Sequence, residues 1–365
     1  MVAAVSADFV HTGPGTLAGR YLRLFWQPVW LSRELGRGRA VPIQVMGEDF
    51  TLYRDTRGAA HVVAPRCPHR GTQLSTGDVD GDGIACRYHG WKFAHTGECV
   101  EQPAEPEPFC DKVRIASYPT HETAGFVFAY LGPPPAPPPP HWPEVGDFAY
   151  RHRIDCNYFQ SAENIMDDAH VSFAHRRSLL NLSTRMSVPR VAARETAFGL
   201  TLELQYGGSV ERNHFIMPNV CHLVDRHAWG TLRVLFAYVP VDDTHHQHFL
   251  ALSSTPAFAA RVLGRLIRLQ RNVDAWYSDR TREILSGRRT LEGVISPRLQ
   301  DSVLCVGQGA IADRSAERLG RTDAGVILLR KIWQRELELF EAGRPPARYQ
   351  RPETFPSGDG DGATA

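Results

Sequence analysis

Two short segments of the sequence each combine one cysteine with one histidine. Cys67 is followed two residues later by His69, and Cys86 is followed three residues later by His89, with sixteen residues between the two segments. Two thiolates and two imidazoles in this arrangement can hold a two-iron, two-sulfur cluster, with the thiolates on one iron and the imidazoles on the other. Because neutral imidazoles replace two charged thiolates, such a cluster has a raised reduction potential. We therefore expect these four residues to bind a [2Fe-2S] cluster that accepts electrons and passes them on.

A zinc site is the alternative use of the same four side chains. Structural zinc usually takes two cysteines from one short segment and two histidines from another. Here each segment supplies one cysteine and one histidine, and this pattern favours the cluster. Gly71 and Gly90 follow the two segments. We expect both glycines to allow tight turns and a close approach of backbone amides to the cluster sulfurs.

A second group of candidate ligands lies farther along the chain. Asn164, Asp167, His170 and His175 follow the spacing N-x2-D-x2-H-x4-H. Two histidines and one carboxylate on one face of an iron ion leave positions open for dioxygen and substrate. His170 and His175 lie about 140° apart around an ideal helix. They can bind the same ion only if the helix ends or distorts near His175.

Both groups resemble the motifs of the Rieske-type ring-hydroxylating oxygenases, in the branch that contains phthalate dioxygenase and the aromatic O-demethylases. Around the first site the likeness extends to Arg70-Gly71 and to Gly90-Trp91-Lys92-Phe93. It continues over most of the chain, roughly from residue 12 to residue 345. The resemblance implies that His170 and His175 bind a mononuclear Fe(II).

The resemblance also suggests further site residues. Asp301 is implied as the carboxylate ligand of the iron, with Asp168 and Asp274 as the other candidates. Asp167 and Asn164 are implied as catalytic residues. In the family, the aspartate at the position of Asp167 does not bind iron but links a cluster histidine to an iron-ligand histidine. Carried over, this implies a link to His89 of a neighbouring subunit in a head-to-tail homotrimer.

The implied function is that of the terminal oxygenase component of a multicomponent Rieske mono- or dioxygenase. It would use dioxygen to hydroxylate or O-demethylate an aromatic acid or a related ring compound. Electrons from NAD(P)H would arrive through a separate reductase or ferredoxin, because the sequence has no Gly-rich nucleotide-binding fingerprint. The alternatives are a Rieske electron carrier without oxygenase chemistry and a zinc-binding interaction protein. The second iron motif and the length of the chain argue against the carrier.

Composition favours a cytoplasmic globular protein. Of the 365 residues, 42% are hydrophobic and 22% charged, and the formal net charge is +1. No block of like charge predicts a nucleic-acid partner, and no long apolar run predicts a membrane span or a signal peptide. The sequence has seven cysteines, and we expect the five other than Cys67 and Cys86 to be ordinary buried or partly buried thiols.

A proline-rich segment, residues 132–140, divides the chain. Short strand patterns with Gly-rich turns precede it, and they predict a small antiparallel β domain. These patterns cover Val41–Arg54, Ala60–Ala64 and Phe126–Leu131. The expected organisation is an N-terminal segment, a Rieske domain, a linker, a catalytic domain and a disordered tail, at 1–24, 25–131, 132–144, 145–345 and 346–365.

The second part of the chain mixes strand and helix patterns, which predict an α+β catalytic domain with an antiparallel sheet and helices, similar to a helix-grip fold. The strand patterns are Leu200–Tyr206, His214–Met217, Leu232–Val239 and His248–Ser253. The helix patterns are Ala162–Arg176, Phe258–Gly287 and Asp323–Gly343.

The substrate pocket is poorly marked in the sequence. The side chains that could line it, but that equally suit packing, are His214, Met217, Asn219 and His222. Arg212 and Arg233 suit the surface better than a substrate carboxylate. His245, His246 and His248 follow the turn signal Asp242-Asp243-Thr244, so we expect them at a solvated hairpin tip.

Overall fold

The computed structural model describes residues 8–176, 178, 187–227, 230–255, 273–346, 349 and 355, with main chain only at 225–227 and 273. These residues fall into two compact units. Leu22–Pro143 forms one unit, and the residues before and after it form the other. No helix within the described ranges combines the length and the apolar character needed to cross a membrane.

The unit Leu22–Pro143 is built from short antiparallel strands. In chain order they are β1 (Trp26–Leu31), β2 (Ala40–Val45), β3 (Glu48–Arg54), β4 (Ala60–Val63), β5 (Asp78–Asp80), β6 (Gly83–Ala85), β7 (Lys92–Phe93), β8 (Cys99–Glu101), β9 (Ser117–Tyr118), β10 (Thr120–Thr123) and β11 (Phe126–Tyr130). They form three sheets, in the orders β1-β11-β10, β2-β3-β4-β9 and β5-β6-β7-β8. The small antiparallel β domain is therefore confirmed.

The prediction of one strand run over Val41–Arg54 is wrong, because the chain turns back at Met46-Gly47 and forms a hairpin of β2 and β3. Both turn residues have positive φ, 52° and 72°. A two-residue turn with this backbone matches the right-handed twist of the flanking strands.

The other unit contains one antiparallel sheet of seven strands. These strands are β12 (Phe148–Ile154), β13 (Arg190–Thr196), β14 (Gly199–Tyr206), β15 (Ser209–Ile216), β16 (Val220–His227), β17 (Gly230–Asp242) and β18 (His245–Thr255). Their spatial order is β12-β18-β17-β16-β15-β14-β13. Within the described residues the helices are α1 (Leu17–Leu22), α2 (Tyr158–Asn164), α3 (Val171–Ala174), α4 (Val273–Leu285), α5 (Pro297–Gly307) and α6 (Ala324–Glu341). The α+β fold class is confirmed.

Helices α5 and α6 follow from local sequence rules. Ser296 caps α5 by accepting a hydrogen bond from the Leu299 N–H at 3.4 Å, and Pro297 occupies the first helical position. In α6, Leu329 and Trp333 are fully buried one turn apart, as the apolar periodicity predicts.

The prediction of one helix over Ala162–Arg176 is wrong. Helix α2 ends at Asn164, a 3-10 turn covers Asp168–His170, and α3 ends at Ala174. The main chain leaves the helical path at Asp167, where φ is −113° and ψ is 80°. The physical reason is that Asp168 is buried as a hydrogen-bond acceptor for side chains of the sheet, and apolar periodicity cannot reveal such a partner.

The expected solvated histidine tip is also wrong. The turn lies at Asp243-Thr244, but β18 already begins at His245. His246 is 0% exposed and His248 is 8% exposed, while His245 is only partly exposed. In an antiparallel strand alternate residues share one face, and the helices cover the face of His246 and His248.

Some predictions fall outside the described residues. For the helix pattern Phe258–Gly287, residues 258–272 lie outside them, and α4 covers most of the remainder. Of the expected disordered tail 346–365, the residues other than 346, 349 and 355 also lie outside them. Phe355, within the expected tail, stacks on His222 with ring centroids 4.3 Å apart.

Candidate metal centres

The two cysteine–histidine segments fold into the same backbone loop twice. The Cys67 N–H donates to the carbonyl of Thr72 at 2.8 Å, and the Cys86 N–H donates to that of Trp91 at 2.8 Å. Gly71 and Gly90 return hydrogen bonds to the carbonyls of Cys67 and Cys86 at 2.8 and 2.9 Å. Both glycines have a φ of 73°, which glycine adopts without strain. The tight turns expected at these glycines are therefore present.

The four candidate ligands converge between these loops. Cys67 and Cys86 are 1% and 3% exposed, and the rings of His69 and His89 lie 4.4 Å apart between centroids. Burial raises the pKa of the Cys67 thiol to about 11, and the nearby Cys86 thiol adds to this rise. Two buried thiols side by side ionise readily only when a metal neutralises them. This donor set fits a [2Fe-2S] cluster.

Aromatic side chains hold both histidine rings. Trp91 stacks on His69, with centroids 4.7 Å apart and planes within 9°. Tyr88 lies against His89 at 3.9 Å, and its hydroxyl accepts a hydrogen bond from Arg70 at 3.2 Å. Both candidate ligand rings therefore pack against an aromatic neighbour.

The second centre brings together His170, His175 and Asp301. One oxygen of Asp301 lies 3.3 Å from Nε2 of His170 and 3.0 Å from Nε2 of His175. One ligand atom from each of the three residues lies within 4.8 Å of the others. His175 follows the last residue of α3, with φ −99° and ψ 4°. The helix thus ends where the five-residue spacing required it to end.

Each histidine of this centre is oriented through its other ring nitrogen. Nδ1 of His170 contacts the main-chain carbonyl of Asp167. Nδ1 of His175 donates to Oε1 of Gln300 at 2.7 Å, and Nε2 of Gln300 donates to the carbonyl of Val294 at 2.7 Å. Both Nε2 atoms therefore face Asp301, where each could give its lone pair to a bound metal ion. Sequence reasoning missed Gln300, because its only signal is its position next to Asp301.

The charges of the centre are strongly coupled. Burial opposes ionisation of Asp301, but hydrogen bonds from His170 and His175 outweigh it and hold the pKa of this carboxyl below its usual range. Burial lowers the pKa of His170, but the hydrogen bond to Asp301 outweighs burial, and the net effect raises this pKa to about 9. Two imidazoles around one carboxylate are the donor set of non-haem Fe(II) sites with open positions. The residues present fit such an ion.

The other candidate carboxylates have different partners. Asp168 accepts hydrogen bonds from the Tyr206 hydroxyl and, at 3.2 Å, from the Asn213 amide. Asp274 accepts from the main-chain N–H of Arg153 at 2.8 Å. Among the described residues, neither joins the cluster of possible metal ligands.

The structure places Asp167 and Asn164 at the break between α2 and the 3-10 turn. Asp167 is half-buried, and this burial raises the pKa of its carboxyl. The Asp167 N–H donates to the Asn164 carbonyl at 3.2 Å.

The residues weakly marked as pocket candidates pack elsewhere. His214 pairs with His222 across β15 and β16, on the sheet face opposite to that of Asn213, whose amide reaches Asp168. Met217 is buried at 3% exposed, and the Asn219 amide donates to the Tyr238 carbonyl at 2.9 Å.

The two candidate arginines lie on β15 and β17. Arg212 pairs with Glu203 at 3.0 Å, and Arg233 lies 3.5 Å from the hydroxyl of Thr255.

Comparison with known proteins identifies relatives of this chain. The family profile of the Rieske [2Fe-2S] domain matches residues 25–119. The 5,5'-dehydrodivanillate O-demethylase oxygenase subunit of Sphingobium sp. is 31% identical over 371 aligned positions, which cover 95% of this chain and 83% of that protein. The phthalate 4,5-dioxygenase oxygenase subunit of Pseudomonas putida is 30% identical, over 89% of this chain and 83% of that protein.

A solved structure shows the same fold. The crystal structure of dicamba monooxygenase bound to dicamba superposes with a TM-score of 0.66 at 18% sequence identity. The match covers 88% of this chain and 99% of that chain. This TM-score supports a shared fold.

Proposed function

This chain belongs to the Rieske non-haem iron oxygenases as an oxygenase subunit, and we propose that its two metal centres are the ones described above. Cys67, His69, Cys86 and His89 would hold the [2Fe-2S] cluster. His170, His175 and Asp301 would hold the mononuclear Fe(II). The observation that carries the second assignment is the approach of two Nε2 atoms to one Asp301 oxygen, at 3.3 and 3.0 Å.

The subunit is part of a multicomponent oxygenase that acts on aromatic compounds. When bound, the cluster supplies electrons derived from NAD(P)H through a separate reductase or ferredoxin, and the iron supplies the site where dioxygen is activated. The protein would contribute orientation, because Gln300 and the Asp167 carbonyl contact the imidazoles and Asp301 would supply the carboxylate ligand. Two relatives are named for dehydrodivanillate and phthalate, both aromatic carboxylates. We therefore propose hydroxylation or O-demethylation of an aromatic acid or related ring compound.

The metal content tests this function directly. The oxygenase should contain about three irons and about two labile sulfides per chain, whereas an electron carrier should contain about two irons. A colourless preparation with zinc would contradict both. His170→Ala should lose about one iron and keep the cluster absorption. Loss of both centres in this variant would count against separate sites.

A role for Asp167 in electron transfer is the finer part of the proposal. We propose that the enzyme is a cytoplasmic homotrimer in which Asp167 links His170 to His89 of a neighbouring subunit. The position of Asp167 beside His170 supports this role. Asp167→Asn should keep both metals but lose turnover coupled to reductase oxidation. Normal coupled turnover in a fully metallated variant would refute the link.

The substrate can be found by a product screen. Purified oxygenase with a surrogate reductase and NADH would be offered methoxybenzoates, phthalates and the matching neutral ring compounds. Hydroxylated or demethylated products would support the proposed activity, and NADH oxidation without any ring product from this set would contradict it.

A further inference from the structure

Two buried histidines outside the metal centres form a cluster on the sheet. His152 of β12 and His248 of β18 are direct cross-strand partners, with ring centroids 5.0 Å apart. They are 0% and 8% exposed. Sequence reasoning did not single out His152 and placed His248 at the surface.

The cluster has unused hydrogen-bonding capacity. Both ring nitrogens of His152 and Nε2 of His248 are buried without a hydrogen-bond partner in the described part of the chain. Burial, the largest cause, lowers the pKa of both histidines well below the ordinary value, so both rings are neutral at pH 7. A neutral imidazole offers one donor and one acceptor. Because buried polar groups without partners are strongly unfavourable, such atoms point to a bound ligand or water.

The surroundings suit an aromatic ligand. His152 lies between Tyr150, with ring centroids 5.5 Å apart and planes within 4°, and Tyr277, with centroids 4.5 Å apart. Tyr238 and Phe236 lie 5.0 and 5.2 Å from His248 between centroids. Flat apolar walls with a few convergent polar atoms are typical of small-molecule sites.

A positive charge lies beside the same cluster. The guanidinium carbon of Arg298 is 4.2 Å from the centroid of the Tyr150 ring. Within the residues that the structure describes, no carboxylate pairs with this guanidinium. Arg298 and Asp301 are three residues apart in α5, so they share a helix face. Asp301 is a proposed iron ligand, so the shared helix face places Arg298 near the mononuclear iron site.

We propose that Arg298, His152 and His248 form the subsite that binds the carboxylate of the ring substrate next to the mononuclear iron. One guanidinium and two neutral imidazoles carry a single positive charge, which matches a monoanionic carboxylate. The Arg298 guanidinium favours a negatively charged ligand, and the imidazole N–H groups orient the carboxylate by hydrogen bonds. This inference rests on the proposed function and names the residues that determine its preference for acids.

Binding of a matched acid and amide tests the subsite without turnover. The probes are 3-methoxybenzoate and 3-methoxybenzamide, which differ mainly in charge, titrated calorimetrically into the fully metallated oxygenase. The wild type should bind the acid more tightly than the amide. Arg298→Gln should weaken binding of the acid by about 10- to 100-fold and binding of the amide by less than about threefold. The control Arg282→Gln removes an exposed arginine of α4 and should change neither.

His152→Phe provides an independent measurement. It keeps a ring between Tyr150 and Tyr277 but removes both nitrogens, and it should weaken binding of the acid by about 5- to 20-fold. If Arg298→Gln loses iron because it lies near Asp301, this variant carries the test alone. Iron content and cluster absorption are measured for every variant.

The outcomes separate the subsite from the function. A wild type that does not favour the acid, or variants that weaken acid and amide equally, would overturn the subsite. Unchanged affinities in the variants would also overturn the subsite, because the two buried histidines would then bind water only. If neutral ring compounds are oxygenated and acids are neither bound nor oxygenated, the oxygenase function stands and the subsite fails. If no ring compound is oxygenated, the function fails, and the acid-to-amide ratio still decides the subsite.

Discussion

Replacing Gln300 by leucine should weaken iron binding without disturbing the cluster. Gln300 is 3% exposed, and its amide is fixed from both sides. Oε1 accepts from His175 Nδ1, and Nε2 donates to the Val294 carbonyl, each at 2.7 Å. Leucine has a similar volume but can neither accept nor donate. In the variant nothing holds the His175 ring with Nε2 toward the metal.

The magnitude follows from both hydrogen bonds. Loss of a partner that orients a metal-bound histidine typically weakens metal affinity by about 10- to 100-fold, or about 1.4 to 2.8 kcal/mol. The Val294 carbonyl also loses its donor, and an unsatisfied buried group costs about 1 to 3 kcal/mol of stability. We therefore expect a raised Kd for Fe(II) together with a moderately lowered Tm.

The assay is competition between the protein and a chromogenic Fe(II) chelator. The cluster ligands lie in the other compact unit, so the visible absorption of the cluster counts intact protein in every sample. Gln300→Glu keeps an acceptor for His175 and should recover most of the iron affinity. Gln308→Leu, at an exposed glutamine just after α5, is the matched control and should bind iron normally.

The two roles of Gln300 predict different results. If Gln300→Leu lowers the Tm but leaves the Kd for Fe(II) within about twofold of the wild type, Gln300 only supports packing. That outcome would refute the orienting role. An equal loss of iron in Gln300→Glu would refute it as well, because the acceptor is then present.

Three further perturbations test the scaffold. Gly71 and Gly90 share a φ of 73°, but a Cβ at Gly90 would lie 2.6 Å from Pro103, whereas a Cβ at Gly71 would meet nothing within 4 Å. Gly90→Ala should therefore lose far more cluster per chain than Gly71→Ala, and equal losses would contradict this reasoning. Glu163 pairs with Arg314 at 2.7 Å and with Arg330 at 2.5 Å. Glu163→Gln should therefore lower the free energy of unfolding by about 3 kcal/mol in urea titrations. A loss below about 1 kcal/mol would mean that solvent screens both ion pairs. Burial raises the pKa of Asp55, but the His61 hydrogen bond and two backbone N–H groups lower that pKa overall. The carboxylate therefore stabilises the fold above the unfolded pKa of about 3.9, and this stabilisation is lost as the pH falls below that value. Asp55→Asn should flatten this acid limb of the stability curve, and an unchanged limb would show that other carboxyls cause it.

The cluster loops were predictable because their information is local. The spacing of Cys67 and His69 indicates the candidate ligands, and the glycine after each segment supplies the positive φ that the loop needs. The same holds for α6, where apolar periodicity suffices, whereas the hairpin turn at Met46-Gly47 was not predicted. The cluster loops and α6 can be predicted without knowing which residues, distant in the sequence, they contact.

Features that depend on distant partners were missed or wrong. The helix break at Asp167 follows from contacts of Asp168 with the sheet and from the close approach of α6, where a Cβ at Gly325 would lie 2.4 Å from the Met166 carbonyl. His248 was assigned to the surface because the turn before it is visible in sequence, whereas the helices that cover its face are not. Gln300 has no motif at all.

The two iron-site histidines are supported in chemically different ways, and this separates iron retention from electron transfer. His170 is held by a main-chain carbonyl, so replacing the Asp167 side chain leaves that hydrogen bond available. His175 is held by the Gln300 side chain, which a substitution removes. Asp167→Asn should therefore spare the iron and Gln300→Leu should not. If Asp167→Asn also spares coupled turnover, electrons reach the iron by a route that does not use this carboxylate.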